Sequence, residues 1–107
     1  MAKAYDQKLD QIVEVLKNEF KPQRMFLFGS RANGNAQPDS DYDIVLVVLK
    51  LRSRHSAEVK AHSLVLNTCG ISADIFIYDQ ADFDDWKDEL SSIPETALNT
   101  GREIDLG

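Results

Sequence analysis

The chain is 107 residues long, 43% hydrophobic, and sets 12 Lys and Arg against 18 Asp and Glu, for a formal net charge of −6 at pH 7. That length suits a single domain over 1–107 and leaves no room for two ordinary ones. The acidic balance disfavours a broad phosphate-neutralising surface, so stable nucleic-acid binding is not expected, although bound cations could still hold nucleotide phosphates.

Leu9, Ile12, Val13, Leu16 and Phe20 recur at the spacing of one helical face, which predicts an amphipathic helix over about residues 5 to 20. Pro22 ends it, and the apolar run MFLF at 25 to 28 reads as a buried strand that stops at Gly29. RANGNAQPDS follows as a loop whose first half has the composition for a helical turn. DYDIVLVVL, 41 to 49, is too continuously apolar for a one-sided surface strand and predicts a central strand covered on both faces. Residues 56 to 68 allow a helix ended by Gly70, and ISADIFIY, 71 to 78, reads as a third strand. Phe83, Trp86, Lys87 and Leu90 then recur at helical spacing over 80 to 90, and a last short helix starts after Ser92 with Pro94 near its beginning. This order predicts an α/β (α+β) fold, a small mixed sheet with flanking helices.

Cys69 is the only cysteine, which excludes an internal disulfide and suits a reducing compartment. No basic-apolar-small segment opens the chain, and no apolar run approaches the roughly 18 residues of a membrane span. The expectation is a soluble, cytoplasmic protein with no membrane partner.

The chemistry concentrates in three aspartates and one turn. In a strand, alternate side chains share a face, so Asp41 and Asp43 are expected to point the same way, about 7 Å apart at Cα. Paired carboxylates of this kind bridge divalent cations, magnesium above all, whose shell is completed by water and substrate phosphate. An isolated D-x-D reads first as solvated turn acids before a strand, here Asp39, Asp41 and Asp43. Asp74 interrupts an otherwise apolar strand, and beside the second strand it would be a third ligand. The alternative is an edge-strand aspartate facing water. Gly29 lets a phosphate approach the backbone, and the Ser30 hydroxyl with the amides after it can donate to phosphate oxygens.

Gly29-Ser30, ten residues, Asp41, one residue and Asp43 match the G-S-x10-D-x-D signature of the DNA polymerase beta-like nucleotidyltransferase superfamily. FGSRANGNAQPDSDYDIVLVV further resembles the minimal nucleotidyltransferase domains, the MntA-type antitoxins encoded beside HEPN-domain proteins in prokaryotes. The resemblance covers nearly the whole chain, with a specific core motif and little beyond Tyr78. It implies the nucleotidyltransferase fold, a triphosphate held at Gly29 and Ser30, two magnesium ions (manganese as the substitute) on Asp41 and Asp43, and Asp74 activating the attacking hydroxyl. It also implies ATP as substrate, transfer of AMP, and a HEPN-domain ribonuclease toxin as acceptor through a tyrosine. Tyr42 stands where the family more often has an aliphatic residue, and Asn33 replaces the second arginine of its GSRARG form. Arg31 has two readings, a contact to the triphosphate or a pairing with Asp39 or Asp41 that fixes the loop.

Other residues read as structural: His55 and His62 as helix surface, Cys69 as a small buried residue, Phe83 and Trp86 as packing for the C-terminal helix. The acids from Asp79 to Glu89 read as a solvated helix face. Two rivals to protein nucleotidylation stand beside it. One is a binding module that neutralises a partner by contact; the other is an enzyme acting on a small molecule such as an aminoglycoside, for which little room is left.

Overall fold

A computed structural model of the chain describes residues 6–107. Its elements in order are α1 (Gln7–Phe20), β1 (Arg24–Phe28), α2 (Ser30–Asn33), β2 (Tyr42–Val48), α3 (Arg54–Cys69), β3 (Ala73–Asp79), α4 (Gln80–Trp86), α5 (Ile93–Thr100) and β4 (Arg102–Glu103). The Asp6 side chain caps α1 by accepting from Leu9 N at 3.1 Å, and the helix buries Leu9, Ile12, Val13 and Leu16 as the periodicity predicted. Tyr5, in the predicted start of that helix, lies outside the described residues.

The sheet order is β3-β2-β1-β4, with β1 antiparallel to β2 and β4, and β2 parallel to β3. β2 is thus central, and it is buried on both faces because both faces have cover. Tyr42, Ile44, Leu46 and Val48 turn towards α1 and α3, with Met25, Leu27, Ile75 and Ile77 beside them. Val45 and Val47 turn the other way with Phe26 and Tyr78, under Phe83 of α4 and Ala97 of α5. Phe26 and Phe83 stack with their centroids 5.7 Å apart. Each fully buried Ile or Leu here contributes roughly 1.5–3 kcal/mol by leaving water.

Two elements differ from the sequence expectation. The helix expected to run to about residue 90 stops at Trp86, because Ser92 Oγ donates to Trp86 O at 2.6 Å and the chain turns through Ser91 at φ 66° into α5. α5 takes the sheet position itself, so Phe83 packs as expected but Trp86 is left 50% exposed and Leu90 87%. β4 has only two residues, too few for any periodicity. It is held by Ile104 N donating to Met25 O and by a two-pronged Arg24–Glu103 ion pair at 2.8 and 2.9 Å. Among the described residues no helix is long and apolar enough to cross a membrane.

Candidate active site

The helical cover over the Val45 face thins towards the row formed by Phe28, Asp43 and Asp74, which the strand registers place side by side across β1, β2 and β3. Direct pairing of Asp43 with Asp74 brings their Cα atoms to about 5 Å, one strand spacing, on the same face of the sheet. Asp41 precedes the first rung of β2, which begins with Tyr42 N donating to Ser72 O at 3.5 Å. It is therefore a turn residue on the approach to the strand rather than its first member, and it is exposed.

Asp74 answers both descriptions offered by the sequence. It lies beside β2, and it also sits on an edge strand and is exposed, so no dry core surrounds it. The Asp43 carboxyl is pushed above its ordinary value by burial first, then by the negative charges of Asp74 and Asp41. Two like charges thus act on Asp43, and no salt bridge among the described residues involves any of the three acids.

Gly29 closes the site from β1. Its φ of 73° and ψ of −157° fall in a region open essentially to glycine alone. A Cβ added there would overlap Asp43 Oδ2 and lie 3.2 Å from Asp43 Cγ. The need for glycine is thus already visible in the protein's own packing, since the turn backbone lies directly against the carboxylate. Ser30 opens α2, whose Ala32 and Asn33 amides both donate to Gly29 O at 3.1 and 3.3 Å. The Ser30 and Arg31 amides head this turn, where no helical carbonyl precedes them.

Arg31 holds the loop, though not by pairing with Asp39 or Asp41. Its Nη2 donates to Ser40 O at 2.8 Å and Pro38 O at 3.2 Å, its Nε donates to Ser40 O at 3.2 Å, and its guanidinium lies 4.4 Å above the Tyr42 ring. Nη1 has no partner among the described residues. Tyr42 faces away from the carboxylate row, into the core under α1, where its hydroxyl donates to Asp6 Oδ2 at 2.8 Å. Burial first, then this bond, push that hydroxyl up to about 12. Asp6 was not singled out by the sequence reading. Its position as helix cap before the first apolar stripe was the available signal, but its second bond, to a residue 36 positions on, had none.

Among the described residues no three His, Cys, Asp or Glu form a ready-made metal cage. The acids make an open half-site instead, one that needs oxygens from a ligand and water to complete a cation's shell. A cleft of about 450 Å³ opens beside Asp41, between Arg31, Lys8 and Cys69, and does not include Asp43 or Asp74. A second, of about 310 Å³, runs from Asp74 along α3.

A match to the family described as Polymerase beta, Nucleotidyltransferase spans residues 10–104. The chain belongs to this family. As a nucleotidyltransferase it shares its fold with a crystal structure of a toxin–antitoxin with AMP-PNP, at 18% identity and TM-score 0.63, over 92% of this chain and 72% of that one. It is also similar to a crystal structure of a toxin–antitoxin MntA-HpeT mutant, at 15% identity and TM-score 0.60, over 88% of this chain and 69% of that one. No curated protein matches the chain in sequence.

Proposed function

We propose that this nucleotidyltransferase is a single minimal domain over 1–107 that moves AMP from ATP onto a tyrosine hydroxyl of a protein, as the antitoxin of a HEPN-domain toxin in the cytoplasm. The observation that carries the reading is the Gly29 backbone set against Asp43, with Asp74 in register beside it. This juxtaposition supports reading the turn's amides as phosphate donors beside a carboxylate row. The toxin–antitoxin structures that share the fold support a protein partner.

The three acids fit divalent cations. Asp41 and Asp74 are close enough to raise Asp43, and the three lack basic partners among the described residues; they form no closed cage by themselves, so phosphate and water would have to complete the shell. Asp41, Asp43 and Asp74 would hold two magnesium ions, or manganese. When bound, the ions neutralise charge at the α-phosphorus and at the departing pyrophosphate. The Ser30 hydroxyl and the amides of Ser30 and Arg31 donate to the triphosphate, while the Arg31 side chain holds the loop over Tyr42. Gly29 lets the turn backbone lie against the Asp43 carboxylate, which keeps the turn beside the proposed cation site. Asp74, exposed at the sheet edge, orients the attacking hydroxyl in line with the pyrophosphate. Arg31 and Tyr42 together fix the segment that delivers Asp41.

The test is intact-mass spectrometry of the toxin after incubation with ATP and magnesium. The native chain should add one or more AMP units, while a variant carrying Asp41→Asn and Asp43→Asn binds the toxin and adds none. No gain with either chain, with neutralisation by both, would make the protein a binding module. Exposed Trp86 and Leu90 among the acids of α4 and its following turn offer a contact surface for that outcome.

A further inference from the structure

The cleft of about 310 Å³ between α3 and the open edge of β3 is lined by His55, Glu58, Val59, His62, Asp74 and Phe76, with neighbouring residues. In the parallel pairing, Asp74, Phe76 and Tyr78 turn their main-chain groups to β2, so those of Ala73, Ile75 and Ile77 point out to the edge. Side chains of α3 take two of these. His62 Nδ1 lies 2.8 Å from Ala73 O, and Glu58 Oε2 accepts from Ile77 N at 2.9 Å. A carbonyl can only accept, so Nδ1 of His62 donates to Ala73 O, and in the matching neutral tautomer Nε2 is the ring nitrogen left to accept from a ligand in the cleft. Between the two capped positions, the Ile75 amide and carbonyl have no partner among the described residues.

We propose that this cleft receives the acceptor as an extended protein segment paired to Ile75, its side-chain hydroxyl held between Asp74 and His62 Nε2. The inference rests on the nucleotidyl-transfer reading and extends it to the acceptor side. Asp74 belongs both to the carboxylate row and to the cleft, so a hydroxyl entering here arrives where the α-phosphorus is attacked. The volume lies at the low end for ligand sites, enough for one side chain rather than a large free metabolite. An edge amide and carbonyl recognise main chain, and the walls formed by Val59, 52% exposed, and Phe76 suit an aromatic ring. In the transfer step the acceptor oxygen bonds to the α-phosphorus of ATP and the bond from that phosphorus to the bridging oxygen breaks. The electron pair leaves with pyrophosphate, and the hydroxyl proton passes to His62 Nε2.

Two measurements test this, both with a short synthetic peptide carrying one tyrosine among neutral residues. In NMR of the full chain with magnesium and a non-hydrolysable ATP analogue, adding the peptide should shift Val59, His62 and Ile75. Shifts confined to Lys8 and Cys69, or no peptide-dependent shift in nucleotide-loaded protein, overturn the proposal and leave nucleotidyl transfer standing. Failure of the analogue itself to shift Gly29 and Ser30 overturns the transfer reading instead. In the second measurement, His62→Asn keeps a donor for Ala73 O while removing Nε2. It should bind the analogue as the native chain does and transfer labelled AMP to the peptide about a hundredfold more slowly. Transfer at the native rate overturns the role of His62. Val59→Trp, a surface change that fills the cleft, should raise KM for the peptide and leave analogue binding unchanged. An unaltered KM overturns the cleft assignment even if His62→Asn fails to fold.

Discussion

Replacing Gly29 by alanine tests the contact on which the site is built. Two costs arise. Holding a residue with a Cβ at φ 73° and ψ −157° stores about 1–3 kcal/mol of backbone strain. The new Cβ also overlaps Asp43 Oδ2, and because that oxygen ends a side chain it can swing aside, at an off-rotamer cost of about 0.5–1.5 kcal/mol. Together these give about 1.5–4.5 kcal/mol, which at about 4 °C per kcal/mol for a chain of this size lowers Tm by about 6–18 °C. In an Asp43→Ala background the colliding oxygen is gone and only Asp43 Cβ remains, 3.5 Å away and in ordinary contact. The second cost should then vanish while the strain stays. A double-mutant cycle by urea denaturation should therefore return a coupling of about 0.5–1.5 kcal/mol between positions 29 and 43. Manganese affinity should fall in Gly29→Ala alone, since the displaced carboxylate is a proposed ligand. Equal costs in both backgrounds, or a native melting temperature for Gly29→Ala, would show that the packing against Asp43 does not demand glycine.

Because the folded state raises the Asp43 carboxyl, it keeps that proton after the unfolded chain has lost it. Stability of the metal-free protein should therefore fall as pH rises from about 4, the ordinary carboxylate value, through the raised value of Asp43. Asp43→Asn should flatten that slope in melts at stepped pH, and magnesium at pH 7 should raise the native Tm but not the variant's. Arg31→Ala removes three hydrogen bonds to Pro38 and Ser40 and the cover on Tyr42, so amide exchange over residues 35–41 should quicken at least tenfold while the amides of β2 keep their protection. Tyr42→Phe gives up the bond to Asp6 and should cost about 1–2 kcal/mol at neutral pH by urea denaturation. With the hydroxyl held up to about 12, the native chain should also lose stability above about pH 10, where unfolded tyrosine ionises, and this variant should lose less.

Local pattern determined much of this protein. The stripe from Leu9 to Leu16, the continuous run of β2 and the glycine after α3 each carry their structural meaning within a few residues, because helix and strand periods and left-handed caps are local properties. The spacing of Gly29, Ser30, Asp41 and Asp43 was legible for the same reason, as was the family resemblance that the match over residues 10–104 bears out. What needed the tertiary structure is what depends on contacts between distant segments. Only the parallel register sets Asp74 beside Asp43 at an exposed edge rather than in a core. Only the loop's path turns Arg31 to the carbonyls of Pro38 and Ser40. Sequence alone assigned His62 to a helix surface, because the carbonyl that orients its ring belongs to a strand 11 residues on. Trp86 followed a helical period and still stayed outside, because α5, arriving later in the chain, had taken the space on the sheet. Periodicity reports which face of an element is apolar; which element covers that face is decided by the competition of all of them for the same surface.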